Sequence, residues 1–451
     1  MNKYLELREQ YNTFIYDNYD IEETSTSFFV TYHYIIPNLE NFTHKLEFQK
    51  IKELDEISKK IIFEIGIIEA INYWKATCGK KFIINSGHIN ENQIKWFKKL
   101  YYNGLQELLF KNNIEIPVED FIDITTTKKE SIEININYQG TGNLIPVGGG
   151  KDSCVTLELL KNQPNNSCFM VNPKNPMLNC AKIAEFNNTD IYIVKRELEK
   201  DKLIKLNNQG FINGHIPISS LYAFVSLFGA YQLNKKFIVL SNEDSANEST
   251  VKGTNVNHQY SKSYEFEKDF NNYIKENYKI NITYFSLLRP LSEYQIAMLF
   301  SKYEEYHKAF ISCNLGSKNT EWTWCNDCAK CLFIFIILSP FLYKEKLINI
   351  FNQDLFENQN LLQIFKDLIG DSKTKPFECV GTIQETRYAL TKTITKLNNN
   401  KEKLPYLLDY YFNNYELSNL SLNLKNNYNN VNNLTNDFAT IIKKELDKYD
   451  K

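Results

Sequence analysis

A glycine-rich segment in the first half of the chain has the composition of a phosphate-binding loop. In IPVGGGKDSCVTLELL (residues 145–160), an apolar run ends in three glycines, and Lys-Asp-Ser follows before a helical pattern. Consecutive glycines let the backbone approach an anion without Cβ clashes, and a helix start offers free N–H groups and a positive dipole end. It is not a Walker loop, which needs Gly where Ile145 stands and Ser or Thr where Asp152 stands. The segment predicts a surface loop that binds phosphate groups.

Four of the nine cysteines have the spacing of a closed metal site. Cys325, Cys328 and Cys331 form a C-x2-C-x2-C knuckle, and Cys313 precedes it with eleven residues between. Four thiolates complete a tetrahedral zinc site that leaves no open position, so the predicted role is structural. An iron–sulfur cluster stays an alternative, although the fourth thiol precedes the knuckle and the Pro typical of ferredoxins is missing.

A polar stretch between these two landmarks is the predicted substrate-binding region. It follows the predicted strand FIVL (residues 237–240), and ligands of doubly wound folds bind outside the carboxyl ends of strands. Its candidate proton-transfer groups are Glu243, Glu248, His258, Lys262 and Glu265. A solvated loop with a helix beginning at Ser261 is the structural alternative. His215, before another predicted helix, is a further candidate.

Composition narrows the class of protein. The 451 residues predict two or three domains, and the net charge of −2 argues against a nucleic-acid partner. The beginning of the chain lacks a secretory pattern, so we expect a cytoplasmic protein. The longest strongly apolar run, Cys331–Phe341, is too short to span a bilayer and predicts a buried helix. Nothing in the sequence indicates an oligomeric state.

The hydrophobic patterns predict an α/β protein. Residues 27–51 read as paired strands, 61–105 as two helices, and 131–138 as a half-buried strand. From Asn143 onward, short apolar runs alternate with helical stretches, which is typical of a parallel sheet with helices on both faces. We therefore predict an N-terminal α+β domain (1–140), a core with the cysteine knuckle (141–345) and a helical C-terminal cap (346–451).

The glycine-rich segment resembles the SGGKDS loop of the PP-loop ATP pyrophosphatases, with Gly148 where most of that family has Ser. This resemblance implies a HUP-type doubly wound core and cleavage of ATP to AMP and pyrophosphate. It also implies Mg²⁺ on the phosphates, with Asp152 as a suspected ligand, and an adenine beside the end of the second core strand. The nucleotide-binding residues so implied are Gly148, Gly149, Gly150, Lys151, Asp152, Ser153, Val171 and Asn172. The cysteine arrangement resembles the zinc knuckle of 7-cyano-7-deazaguanine synthase.

Six motifs in conserved order resemble the UDP-N-acetyl-α-D-muramoyl-L-alanyl-L-glutamate epimerase family of peptidoglycan synthesis. They are IPVGGGKDS, NGHIPIS, SNEDSANE, VNHQYSKSYEFE, LLRPLSEYQIA and the knuckle followed by LFIFIILSPFL, between about Leu144 and Leu342. The resemblance implies that ATP adenylates the α-carboxylate of the terminal L-Glu, so that a base removes its Cα proton and an acid returns one on the opposite face.

Site roles follow from this resemblance. The expected catalytic residues are Lys151, Asp152, Glu243, His258, Lys262 and Glu265, and the expected substrate-binding residues are His215, Asn242, Glu248 and Asn257. The expected ligands are ATP, Mg²⁺, structural Zn²⁺ and a UDP-muramoyl dipeptide. A nucleobase- or nucleic-acid-modifying enzyme of the same superfamily, working by amidation or sulfur transfer, remains the alternative. A regulatory nucleotide-binding pseudoenzyme is a third reading, which the intact Lys151-Asp152-Ser153 opposes.

Overall fold

A computed structural model of the protein describes residues 3–129, 137–247, 256–257, 260–316, 322–372, 375–417 and 427–449. The predicted strand at 131–138 falls mostly outside these residues, and so do the predicted site residues Glu248 and His258. Among the described residues no helix has the length and apolarity needed to cross a membrane.

One ten-stranded sheet runs through the described part of the chain. The strands are β1 (Thr13–Glu23), β2 (Ser27–Ile36), β3 (Glu40–Gln49), β4 (Lys81–Ile84), β5 (Asp123–Thr126), β6 (Asn143–Pro146), β7 (Asn166–Val171), β8 (Ile191–Glu197), β9 (Phe237–Leu240) and β10 (Thr283–Ser286). Their order is β10-β9-β6-β7-β8-β3-β2-β1-β4-β5. Pairing is antiparallel between β1, β2, β3 and β8 and parallel elsewhere, so the sheet is mostly parallel.

Helices lie on both sides of this sheet, which confirms the predicted α/β class. They are α1 (Lys3–Gln10), α2 (Glu56–Glu69), α3 (Ile71–Trp74), α4 (Glu91–Gly104), α5 (Gln106–Lys111), α6 (Val118–Phe121), α7 (Lys151–Leu160), α8 (Asn175–Ile183), α9 (Lys200–Asn208), α10 (Ile218–Gln232), α11 (Tyr264–Asn277), α12 (Glu293–Phe300), α13 (Ala329–Leu338), α14 (Lys344–Phe351), α15 (Leu362–Leu368), α16 (Ile383–Asn399), α17 (Tyr406–Asn414) and α18 (Asn436–Asp447). The apolar run beginning at Cys331 is the buried helix α13, as predicted.

The core strands β6, β7 and β9 bury side chains on both faces. Along β6, Leu144 packs into one hydrophobic cluster and Ile145 into another. Along β9, Ile238 packs into the first cluster and Val239 into the second. Successive side chains of a strand point to opposite faces, so the two clusters are the two sides of one sheet. Buried on both faces, such strands appear as continuous apolar runs in the sequence.

In the N-terminal strands, buried residues alternate with more exposed ones. In β2, every second residue from Phe28 is buried, and an Asn38 with φ of 63° turns the chain into β3. Asn tolerates this left-handed conformation better than most residues, which explains the Pro-Asn break between the two strands. The prediction of paired strands is confirmed, whereas β1 and the short strands β4, β5 and β10 were not predicted.

The strand order reverses at β6. The chain adds β7 and β8 on one side of β6 and then returns to place β9 and β10 on the other. Because β6 and β9 are parallel neighbours, the loops after both strands leave at the same edge of the sheet. Ligands of open α/β sheets bind at such a reversal. The fold therefore brings the glycine-rich loop and the polar stretch together.

A buried charged cluster joins the N-terminal strands to the core, where β3 pairs with β8. Glu69 accepts hydrogen bonds from Nε and Nη2 of Arg196, both at 2.7 Å, and from Nδ2 of Asn72 at 2.9 Å. His44 Nε2 lies 3.0 Å from the same carboxylate. Despite burial, Arg196 and His44 lower the pKa of Glu69 to about 2. We call these four residues the seam cluster.

Candidate active site

The glycine-rich loop has the geometry expected of an anion cradle. Gly149 has a φ of +77°, which L side chains rarely adopt, and a Cβ on Gly150 would lie 2.8 Å from Ser312 Oγ. Gly148 is exposed, and a Cβ there would meet no described atom within 4 Å. Gly150 caps α7, whose first N–H groups are therefore available. The backbone conformation favours glycine at 149, a side chain at 150 would displace Ser312 Oγ, and position 148 faces open space.

Lys151 is fully buried, which corrects the expectation of a surface loop residue. Its ammonium group donates to the carboxylates of Asp152 and Glu293, the latter at the start of α12. Burial opposes the charge of Lys151, but these two carboxylates raise its pKa above the usual value. Lys151 therefore stays an ammonium ion, held in place at the beginning of α7.

Three carboxylates converge beside the loop. Oxygens of Asp152, Glu243 and Glu293 lie within 4.8 Å of one another. Oε1 of Glu293 is buried and has no hydrogen-bond partner among the described residues. Burial, together with Asp152 and Glu243, raises the pKa of Glu293 to about 8 against the opposing effect of Lys151. This arrangement crowds three carboxylates into one small space, and a cation bound there would reduce their mutual repulsion.

Two further lysines and a cysteine complete the cluster. Lys262 Nζ lies 2.9 Å from Cys379 Sγ, and the Lys330 ammonium group donates to the carbonyl of Cys379. Burial alone would raise the pKa of Asp152, but the positive charges of Lys151 and Lys330 bring it below its usual value. We call Lys151, Asp152, Glu243, Lys262, Glu293, Lys330 and Cys379 the loop cluster.

The other predicted residues of the polar stretch have local partners. Asn242 Nδ2 donates to Ser286 Oγ at 3.0 Å, which ties the ends of β9 and β10. Asn257 Nδ2 donates to the carbonyl of Ala246 at 3.1 Å. Both lie in the region that follows β9, which also carries Glu243.

Two predicted residues have ion-pair partners on other helices. Glu265, in the first turn of α11, is exposed and pairs with Lys99 of α4 at 2.6 Å. His215 Nδ1 lies 3.7 Å from a carboxylate oxygen of Glu107 in α5. Neither of these ion pairs involves a residue of the phosphate loop.

The predicted adenine-binding residues also have structural partners. Asn172 has a φ of 46°, and its side chain exchanges hydrogen bonds of 2.7 and 2.8 Å with the backbone of Arg196. Val171 is half-buried against the core. Ser153 donates its hydroxyl hydrogen to the Gly150 carbonyl at 2.9 Å. Asn172, although exposed, and Ser153 therefore use their side chains in hydrogen bonds to the backbone, and Val171 packs against the core.

The four predicted metal ligands lie close together in the structure. The sulfur atoms of Cys313, Cys325, Cys328 and Cys331 lie within 4.8 Å of one another. Backbone N–H groups of Gly316 and Cys325 point at Cys313 Sγ, at 3.1 and 3.4 Å.

This cysteine cluster is also connected to the phosphate loop. Ile311 N–H donates to the Gly149 carbonyl at 2.8 Å, two residues before Cys313. Lys330 stands between Cys328 and Cys331 and extends into the loop cluster. A metal bound by the four thiols would therefore hold both the loop and Lys330 in place.

Sequence reasoning missed Glu293, Lys330 and Cys379. Glu293 lies inside LLRPLSEYQIA, a motif that was noticed only as part of a resemblance. Lys330 lies inside the knuckle, where only the cysteines were interpreted as functional residues. No local pattern marks Cys379, which reaches Lys262 across 117 residues of chain.

The comparisons with known proteins agree on one family. The chain matches the family models described as MurL N-terminal domain, over residues 6–287, and MurL C-terminal domain, over residues 309–409. Three relatives share the name UDP-N-acetyl-alpha-D-muramoyl-L-alanyl-L-glutamate epimerase. That of Xanthomonas oryzae pv. oryzae is 31% identical over 335 residues, 72% of either chain. That of Micromonospora sp. is 30% identical over 339 residues, 74% of either chain. That of Salinispora tropica is 29% identical over 337 residues, covering 74% of this chain and 72% of the relative. With more than half of its length matched by the first model, the chain belongs to the MurL family.

Proposed function

We propose that the protein is an ATP-dependent epimerase that converts the terminal L-Glu of UDP-N-acetylmuramoyl-L-Ala-L-Glu to D-Glu. The names of its relatives suggest the substrate. The observation that carries the ATP-dependent part is the buried Lys151 at the start of α7, held between Asp152 and Glu293 directly after three glycines. In this proposal ATP is cleaved to AMP and pyrophosphate, and the substrate carboxylate is adenylated.

The core sheet supports a PP-loop assignment. Counted from β6 as the first strand, the order of β6 to β10 is 3-2-1-4-5, which is a doubly wound order. The cradle then lies at the reversal, where the amides of Gly148 to Gly150 and the α7 dipole face the phosphates. Lys151 supplies a fixed positive charge near the phosphate groups.

The carboxylates of the loop cluster fit Mg²⁺. This ion prefers oxygen ligands, and Asp152, Glu243 and Glu293 supply them within one small space. The unpartnered Glu293 Oε1 is the oxygen that a cation would satisfy. When bound, Mg²⁺ would neutralise charge on the phosphates of ATP.

Adenylation makes the proposed epimerisation chemically accessible. Removal of the Cα proton beside a free carboxylate places a second negative charge next to the first. In an acyl-adenylate the carbonyl can instead accept the charge as an enolate. Of the proton-transfer candidates that the structure describes, Glu243 and Lys262 lie in the loop cluster, whereas Glu265 pairs with Lys99 on the surface. Hydrolysis of the adenylate then releases AMP.

We propose that the four cysteines hold one structural Zn²⁺. Four thiolates leave no coordination position for water or substrate, which fits a structural role. The proposal predicts one zinc per chain by elemental analysis, and loss of both zinc and ATP/PPi exchange in Cys328→Ser. Iron with visible absorbance in place of zinc would contradict it.

The function is tested by ATP/PPi exchange with and without the muramoyl dipeptide, followed by turnover in D₂O. The proposal expects dipeptide-dependent exchange, and D-Glu that carries deuterium at Cα in step with AMP formation. Amidation or sulfur transfer would break no C–H bond at that carbon. If the dipeptide supports neither exchange nor deuterium incorporation, the nucleobase alternative takes its place. The cytoplasmic location remains a prediction.

A further inference from the structure

Cys379 places a sulfur atom at the loop cluster. It precedes α16 by a few residues, is half-buried, and its Sγ lies 2.9 Å from Lys262 Nζ. Neither the glycine-rich loop nor the cysteine knuckle includes it. Its role is therefore independent of the phosphate-binding and zinc-binding assignments.

Contacts on both sides fix the segment that carries this thiol. Lys330 donates its side-chain hydrogen to the Cys379 carbonyl and its backbone hydrogen to Glu378 Oε2, the latter at 3.2 Å. Gly381 packs so closely that a Cβ would lie 2.8 Å from Phe333 and 3.1 Å from Glu293 Cγ. Phe377 packs against Phe110 with ring centroids 5.8 Å apart. Packing thus fixes the chain on both sides of Cys379, with Gly381 against the same Glu293 that pairs with Lys151.

A lysine ammonium group lies within hydrogen-bond distance of the Cys379 thiol. Burial opposes the charge of Lys262, yet Cys379 and Glu243 raise the pKa of Lys262 above its usual value. Lys262 is therefore an ammonium ion at neutral pH and is a poor base. A lysine ammonium within hydrogen-bond distance stabilises a thiolate, which is the nucleophilic and basic form of cysteine.

We propose that the Cys379 thiolate is one of the two groups that exchange the glutamyl Cα proton, with Lys262 as its positioning residue. This inference rests on the proposed function. In the forward step the Cα–H bond breaks and an S–H bond forms. The electron pair of the C–H bond becomes the π bond between Cα and the carbonyl carbon, and the carbonyl π pair moves onto the oxygen of the acyl-adenylate, which gives an enolate. A second acid on the opposite face returns a proton to Cα, and Cys379 then loses its proton to solvent.

The remaining groups of the loop cluster suit other tasks. Asp152 and Glu293 are engaged by Lys151, and Glu243 belongs to the carboxylate set that fits Mg²⁺. A thiol has a reference pKa of about 8.5, much closer to neutrality than that of a carboxylate. A base with a pKa near the working pH is the more effective proton-transfer group.

Cys379→Ser is the first test, in the full-length protein. We expect dipeptide-dependent ATP/PPi exchange within about 3-fold of wild type, and deuterium incorporation at Cα reduced by about 100-fold or more. Glu378→Gln, which keeps an acceptor for the Lys330 N–H, is the matched control and should leave both rates within about 3-fold. Wild-type protein without dipeptide-dependent exchange would refute the proposed function rather than this inference.

Other results of this test overturn the inference. Deuterium incorporation by Cys379→Ser within about 3-fold of wild type shows that another group removes the proton. Loss of exchange together with deuterium incorporation in a folded variant assigns Cys379 to adenylation instead. An acyl-thioester on Cys379, found by mass spectrometry after acid quench of the wild type, makes the thiol an acyl carrier.

Alkylation tests the thiolate without substrate or turnover. Iodoacetamide labelling of Cys379 at pH 7, followed by peptide mass spectrometry, should be at least about 10-fold slower in Lys262→Met than in wild type. Lys99→Met, which removes the surface partner of Glu265, is the control and should label at the wild-type rate. Equal labelling in Lys262→Met and wild type would show that Lys262 does not stabilise a thiolate.

Discussion

The seam cluster and the loop cluster are both buried and both built around a glutamate, yet their charges are arranged differently. At the seam, both oxygens of Glu69 have partners within 3.0 Å, and the pKa of Glu69 is lowered to about 2. At the loop, one oxygen of Glu293 has no described partner, and its pKa is raised to about 8. In the first cluster one carboxylate is fully paired, whereas in the second three carboxylates share one small space and repel one another.

This difference separates a structural cluster from a binding site. A buried ion pair with all partners present holds elements together, and its loss leaves an uncompensated buried charge. Strongly perturbed carboxylates beside a loop with free amides are instead typical of functional sites. We infer that the seam cluster serves folding and the loop cluster serves ligands. The following substitutions test this comparison.

The largest expected effect is on catalysis, from Lys151→Met. Removal of the fixed charge beside the phosphates should reduce ATP/PPi exchange by about 1000-fold or more. Lys161→Met, at the other end of α7 and paired with Glu158 at 2.6 Å, is the control and should stay within about 2-fold. Since Lys151 is buried, urea unfolding must show that the variant is folded. Exchange within 10-fold of wild type would contradict the assignment.

Glu69→Gln should reduce stability and leave chemistry intact. Depression of its pKa from 4.5 to about 2 corresponds to about 3 kcal/mol of stability near neutral pH, which the variant should lose in urea unfolding at pH 7. Because the folded-state pKa is lowered, the wild type should lose this contribution as pH falls from about 5 to about 2. The folded variant should retain ATP/PPi exchange. A loss below about 1 kcal/mol would show that the seam charges are not coupled as described.

Replacement of Glu293 by glutamine should instead raise the stability of the protein. A carboxyl whose folded-state pKa is raised to about 8 destabilises the folded state progressively as pH rises from about 5 to 8. In metal-free buffer, Glu293→Gln should be within about 1 kcal/mol of wild type near pH 5 and exceed its stability by about 4 kcal/mol near pH 8. Its ATP/PPi exchange should nevertheless fall. A variant that is less stable than wild type at pH 8 would contradict the idea that an ionised Glu293 is destabilised by its neighbouring carboxylates.

The smallest effect is expected at the rim of the loop cluster. Gly148→Ala adds a Cβ that meets no described atom within 4 Å, so unfolding free energy should change by less than about 0.5 kcal/mol. Gly66→Ala, in α2 beside the seam, adds one that would lie 2.7 Å from Tyr32 Cδ1 and should cost at least about 1 kcal/mol. Equal costs at the two positions would mean that the loop is as closed as the seam.

The sequence predicted those features whose chemistry is local. The glycines and Lys151 are consecutive, the knuckle cysteines lie three residues apart, and the two-sided burial of β6 and β9 appears as apolar runs. Each of these patterns can be recognised within one short segment of the sequence. The hairpin of β2 and β3 was likewise predictable from the β-branched and aromatic residues of its strands and from the Pro-Asn break between them.

The remaining features depend on contacts between distant parts of the chain. Glu293 reaches Lys151 across 142 residues, and Cys379 reaches Lys262 across 117. No spacing rule connects such residues, because the fold and not the sequence interval determines their distance. The burial of Lys151 was missed for the same reason, since α12 supplies its counter-ion. The pairing of β3 with β8, which joins the N-terminal strands to the core, is another contact of this kind.

That pairing has a practical consequence for any shortened form of the protein. A chain that began near residue 141 would lack β3, and the backbone N–H and C=O groups that β8 offers to β3 would face solvent. An uncovered strand edge of this type is a template for pairing with another chain. The middle portion expressed alone should therefore associate or aggregate through β8, whereas a chain that keeps β1, β2 and β3 should remain dispersed in solution.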